Sequence, residues 1–120
     1  MSNFFGYHLL FDCSGCDVNQ LKNYNTCNSF IKELVSTINM VPFGEPIIEY
    51  MLDSKEKQGY SIVQLLTTSS IVCHLLDSHG TAYIDIFSCK EFDIDKAQQT
   101  IVKYFSPSKT RVNLITRDAG

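Results

Sequence analysis

Three apolar runs follow one another with little between them: YSIVQLL (Tyr60 to Leu66), SSIVCHLLD (Ser69 to Asp77) and TAYIDIFSC (Thr81 to Cys89). Each is rich in β-branched and aromatic side chains, which suit a pleated, half-buried surface. The residues DSHGT (Asp77 to Thr81) make a good hairpin connection. The third run alternates, with Tyr83, Asp85 and Phe87 expected on one side and Ala82, Ile84 and Ile86 on the other.

Around this strand cluster the remaining elements fall into place. YHLLFDC (Tyr7 to Cys13) reads as a first strand, followed by the turn residues CSGCDVN. Helical spacing runs from Val18 to Met40 and is clearest in SFIKELVSTINM, where Phe30, Ile31, Leu34, Val35 and Ile38 share a stripe. VPFGEP breaks that helix, and IIEYML (Ile47 to Leu52) reads as a strand before the charged loop Asp53 to Gly59. A second helix opens at Asp93 or Asp95 as N-cap and carries Ile94, Ala97, Ile101 and Tyr104 at helical spacing. RVNLIT (Arg111 to Thr116) closes the chain as a last strand. The order β-α-β-β-β-β-α-β predicts an α+β two-layer sandwich, an antiparallel sheet with helices on one face. At 120 residues and 44% hydrophobic, residues 1–120 are expected to form a single domain with its own core.

The formal charge is −3 and the lysines and arginines are scattered, so a nucleic-acid partner is not expected. No stretch approaches the apolar length of a membrane span, and MSNFFGYHLL lacks the form of a secretory signal; a cytoplasmic location is expected. Five cysteines, an odd number, argue against a disulfide framework. Cys13-Ser14-Gly15-Cys16 is a C-x-x-C at a strand end, readable as a redox motif or as two structural thiols. With no second C-x-x-C and no H-x-x-x-H, no metal site is expected.

The stretch LLTTSSIVCH puts small polar residues where apolar ones would pack better. Ser61, Ser69, His74 and Cys89 stand out, though each alone fits an ordinary strand residue. Taken together with FGYHLLFDC and AYIDIFSC, they make the chain resemble the bacterial-type S-adenosylmethionine decarboxylases, small self-cleaving enzymes with a pyruvoyl cofactor. The resemblance runs from about Phe5 to Val112 and is specific between Gly59 and Cys89.

That resemblance implies a scissile bond between Thr68 and Ser69, giving a β-chain of residues 1–68 and an α-chain of residues 69–120. The Ser69 hydroxyl would attack the Thr68 carbonyl, with Ser61 as donor to the developing oxyanion and His74 as acceptor of the α-proton. Elimination and hydrolysis would leave a pyruvoyl group at position 69. That group would take the substrate amine as a Schiff base and draw electrons as CO2 leaves. Cys89 would return the proton. Ser70 competes with Ser69 but points to the other face of a strand, and the spacing to His74 is read as favouring Ser69. His8 and Asp12 are either site residues or edge-strand polarity; Phe5, Tyr7 and Phe43 either stack on a planar ligand such as adenine or pack the core.

Two departures from the family pattern matter. Thr67-Thr68 stands where many members carry a glutamate beside the cleavage serine. Leu75-Leu76-Asp77-Ser78 stands where many carry a threonine-tryptophan-proline-glutamate run whose glutamate binds ribose; Asp77 is the available substitute, one position out of register. The expected substrate is therefore S-adenosylmethionine, with ornithine or arginine as the alternative and an unprocessed, non-catalytic homologue as the second. A homodimer is expected, because the sheet leaves one face to cover, with residues of both protomers expected at each site.

Overall fold

The computed structural model describes residues 4–120. Six strands form one antiparallel sheet: β1 (Phe4–Ser14), β2 (Ile47–Met51), β3 (Gly59–Leu66), β4 (Ser69–Leu76), β5 (Thr81–Ser88) and β6 (Lys109–Asp118). Their order across the sheet is β2-β3-β4-β5-β1-β6. The short links between β3, β4 and β5 permit only antiparallel neighbours, since a parallel crossover needs a dozen residues or more. The α+β two-layer architecture expected from the sequence is the one observed.

The first strand lies between β5 and β6. The helices α1 (Val18–Leu21), α2 (Tyr24–Thr37) and α3 (Ile94–Phe105) complete the chain. A single helix from Val18 to Met40 does not form. Asn23 adopts extended backbone and its side chain accepts from the Thr26 N–H at 3.1 Å, so it caps α2 and ends α1. Asp93, not Asp95, caps α3 by accepting from the Lys96 N–H at 3.1 Å. The core lies between the sheet and the helices, where Phe30 of α2 packs edge-on against Phe105 of α3 at 4.8 Å. On the rim, Lys103 bonds Glu33 at 2.8 Å and so joins the two helices.

Alternation sorts each strand. Leu9, Phe11, Ile62, Ile71, Cys73, Ile84 and Ile86 face the helices and are buried. The other face carries three rows of cross-strand neighbours. One runs Leu65, Ser70, Phe87, His8, Ile115; the middle one Ile47, Val63, Val72, Asp85, Leu10, Asn113. The third runs Glu49, Ser61, His74, Tyr83, Asp12, Arg111. No helix of the described residues covers this open face, and none is long and apolar enough to cross a membrane.

Candidate active site

The β3–β4 hairpin turns on two residues, Thr67 and Thr68, because Leu66 pairs with Ser69. Thr68 has φ +57°, in the left-handed region that glycine usually supplies at such a turn. A β-branched residue there is strained, at a cost of about 1–3 kcal/mol. The strain therefore sits in the residue just before the Thr68–Ser69 bond. Thr67 and Thr68 are exposed while Ser69 is buried on the helix face.

Residue 89 holds both sides of that bond. The Cys89 N–H donates to Ser69 Oγ at 3.0 Å, and the Thr68 hydroxyl donates to Cys89 Sγ at 3.0 Å. These contacts hold the Cys89 thiol below its ordinary range, with the Thr68 hydrogen bond as the main cause and the Ser69 hydroxyl second. Cys89 can approach this closely because β1 carries glycine at position 6: a Cβ there would lie 2.0 Å from the Ser88 carbonyl oxygen and 2.8 Å from the Cys89 Cα. Nearby, the Lys90 ammonium donates to the Asn39 carbonyl at 2.8 Å, tying the segment after Cys89 to the loop after α2.

Ser61 and His74 are brought together with each other but not with Ser69. They are cross-strand partners, and Ser61 Oγ lies 3.1 Å from His74 Nδ1. The five-residue step from Ser69 to His74 is odd, so the side chains leave opposite faces of β4, with origins separated by about 17 Å of strand. His74 shares its face with Ser70, contrary to the reading that its spacing selects Ser69. What distinguishes Ser69 is the strained residue before it and the Cys89 N–H on its hydroxyl.

Phe5 is half exposed and its ring lies 5.6 Å from Phe87, on the open face next to Ser70. His8 and Arg117 join this cluster: the His8 ring is 6.0 Å from that of Phe87, and the Arg117 guanidinium stands 5.1 Å over the same ring. The sequence reading did not pick out Phe87 or Arg117, although the alternation in β5 had put Phe87 on this face. Tyr7 points to the helix side, where its hydroxyl donates to Glu91 at 2.8 Å in a cavity of about 170 Å³ that Phe92, Ile94 and Leu114 also line. The Glu91 carboxylate beside it raises the Tyr7 phenol.

Asp77 lies at the far end of β4. It is buried, takes a hydrogen bond from the Tyr50 hydroxyl, and is not brought to Ser69 within the chain. Asp12 sits between Tyr83 and Arg111 in the third row, and Phe43 is exposed on the loop before β2. The C-x-x-C occupies the strand-to-helix turn as two buried free thiols, and burial pushes Cys16 up to about 11. Among the described residues no group of three or more His, Cys, Asp or Glu side chains has the arrangement to hold a metal ion.

The family model described as S-adenosylmethionine decarboxylase matches residues 7–118. The chain belongs to the S-adenosylmethionine decarboxylase family. Within it, the chain is 30% identical over 92 residues to an S-adenosylmethionine decarboxylase proenzyme of Clostridium botulinum (strain Loch Maree / Type A3), covering 76% of this chain and 75% of that one. It is 28% identical over 116 residues to S-adenosylmethionine decarboxylase proenzyme 2 of Halalkalibacterium halodurans, covering 96% and 87%. The crystal structure of the adenosylmethionine decarboxylase from Aquifex aeolicus vf5 superposes with a TM-score of 0.81 at 20% identity, over 99% of this chain and 95% of that one. The fold of this chain is thus shared with that solved structure.

Proposed function

We propose that the chain is a proenzyme that cuts itself between Thr68 and Ser69 and then decarboxylates S-adenosylmethionine, the product feeding aminopropyl transfer in spermidine synthesis. The observation that carries this reading is the strained turn: a left-handed Thr68 followed by a serine whose hydroxyl is already held by the Cys89 N–H. In the first step Ser69 Oγ attacks the Thr68 carbonyl carbon and the amide becomes an ester, with the residue 69 nitrogen leaving as an amine. Loss of the residue 69 α-proton then expels residues 1–68 as a carboxylate. Water replaces the nitrogen, which leaves as ammonia. Releasing the Thr68 backbone from its φ favours the cut.

The residues around position 69 fit a pyruvoyl group: the turn before it is exposed, and Cys89 touches both residues of the bond, through its sulfur at the Thr68 hydroxyl and its N–H at Ser69 Oγ. That group supplies an electron sink for the carboxylate's departure. The Cys89 thiol, as the acid, returns the proton. The ring of Phe5 against Phe87 offers a platform for a planar base.

Ser61 and His74 serve this chemistry across a dimer. The middle row of the open face is largely apolar and lies midway between the other two, which are about 13 Å apart. A second copy turned over about an axis along that middle row sets the Ser61–His74 pair of one protomer over the Ser70–Phe87 row of the other. The partner's histidine then serves the bond that this chain's own histidine cannot reach.

A second reading, a basic amino acid such as ornithine or arginine as substrate, is favoured by one observation. Asp77, the stand-in for the ribose-binding glutamate, is held by Tyr50 at the far end of the strand. Denaturing mass spectrometry should find fragments 1–68 and 69–120, and none in Ser69→Ala. An intact chain of 13.6 kDa that persists would mark a non-catalytic homologue. CO2 release from S-adenosylmethionine, ornithine and arginine decides the substrate.

A further inference from the structure

Thr68 enters the processing reading through its backbone, as the left-handed residue whose carbonyl is attacked, and the following rests on that reading. Its side chain adds something separate. A threonine is a poor choice for left-handed backbone, and the turn is exposed, so neither local conformation nor packing selects it. Its hydroxyl, however, has two acceptors: the Thr67 carbonyl at 2.7 Å and Cys89 Sγ at 3.0 Å. The branched Cβ restricts χ1 and so keeps that hydroxyl aimed.

We propose that Thr68 is the positioning residue for Cys89: its hydroxyl holds the sulfur at the turn, and continues to do so after the 68–69 bond has opened. Before the cut the Cys89 N–H holds Ser69 Oγ and the Cys89 sulfur accepts from Thr68. The elimination carries Oγ away as an oxygen of the new Thr68 carboxylate, so the Thr68 hydroxyl is the one of these two contacts with Cys89 that survives on its own residue. The new C-terminus of the upstream chain becomes part of the finished site, and the proton donor does not drift from position 69 when its neighbour is released. A hydroxyl donating to sulfur favours the thiolate, so the contact also sets the pH at which Cys89 carries its proton.

The test is the pH profile of iodoacetamide alkylation at Cys89, read from its peptide by mass spectrometry on the purified protein. Thr68→Val keeps the shape and removes the hydroxyl. Its midpoint should move to higher pH, and alkylation at neutral pH should slow by a factor of a few. Thr68→Gly also lacks the hydroxyl but relaxes the backbone, and should move the same way. Thr68→Ser keeps the hydroxyl and should stay with the parent. A midpoint unmoved in both Val and Gly variants, or moved equally in Ser, overturns the proposal. Cys27 and Cys73, buried in the core, report in the same digests that the fold is intact. Intact mass in those samples separates this idea from the one it rests on. An uncut parent whose midpoint depends on the hydroxyl removes the processing reading alone. A cut parent whose midpoint does not depend on it removes the positioning role alone.

Discussion

At residue 89 one side chain meets two demands. In the proposed reaction the thiol must carry its proton as the acid, yet the Thr68 hydroxyl, which outlasts the cut, favours its thiolate; the Ser69 hydroxyl adds to this in the uncut chain alone. The sign follows directly: a lowered pKa means the proton is lost at lower pH than from a free cysteine, so turnover should decline on the alkaline side earlier than an unperturbed thiol would allow. Cys89→Ala should still permit the cut while lowering kcat by a large factor, and a kcat equal to the parent would remove Cys89 as the acid. The other four thiols behave oppositely, because burial disfavours charge: Cys27 is pushed up to about 12 and Cys73 higher still. Brief alkylation of the folded protein should therefore label Cys89 ahead of Cys13, Cys16, Cys27 and Cys73. The thiol letters were plain in the sequence. Which of them was accessible was not, since accessibility depends on which elements pack over each one.

At the scale of elements, β1 controls the site from behind. Gly6 is buried against Ser88 and Cys89, and a methyl group there would overlap backbone that has no room to move. Gly6→Ala should displace residue 89, slow the cut and lower the thermal midpoint, all of which mass spectrometry and a melting curve would read. Phe30→Ala, in the core between α2 and α3, should cost about 3–5 kcal/mol without selectively affecting the cut. Parity within β4 was readable from the start: 69 and 74 differ by an odd number, so their side chains diverge. A spacing taken from a resemblance concealed it, because the resemblance describes a finished site and not one strand. The split of the first helix was also legible in principle, since Asn23 is a strong capping residue placed before Thr26.

For the whole molecule, the open sheet face presents Ile47, Leu65, Tyr83 and Ile115 to solvent in the single chain. A second copy that covers them and supplies His74 yields a distinctive outcome. Ser69→Ala and His74→Ala chains should each remain uncut alone. Co-expressed, they should form mixed dimers in which the His74→Ala chain is cut, because its intact Ser69 meets the partner's histidine. Cutting of His74→Ala alone, or none in the mixture, would contradict a shared site.

The sequence by itself determined the six strands, their order along the chain and the α+β class, while the bond to examine came from the family resemblance. The strands and the class are the local part. Those follow from alternation, helical spacing and turn chemistry, which act over a few residues. Tertiary structure decided the rest. It inserted β1 between β5 and β6, twisted Thr68 into the left-handed region, brought Cys89 to both sides of one bond, and carried Asp77 to Tyr50. All but the Thr68 turn, which is local to one hairpin, depend on segments far apart in the chain coming together, and no local pattern encodes which distant backbone will lie alongside.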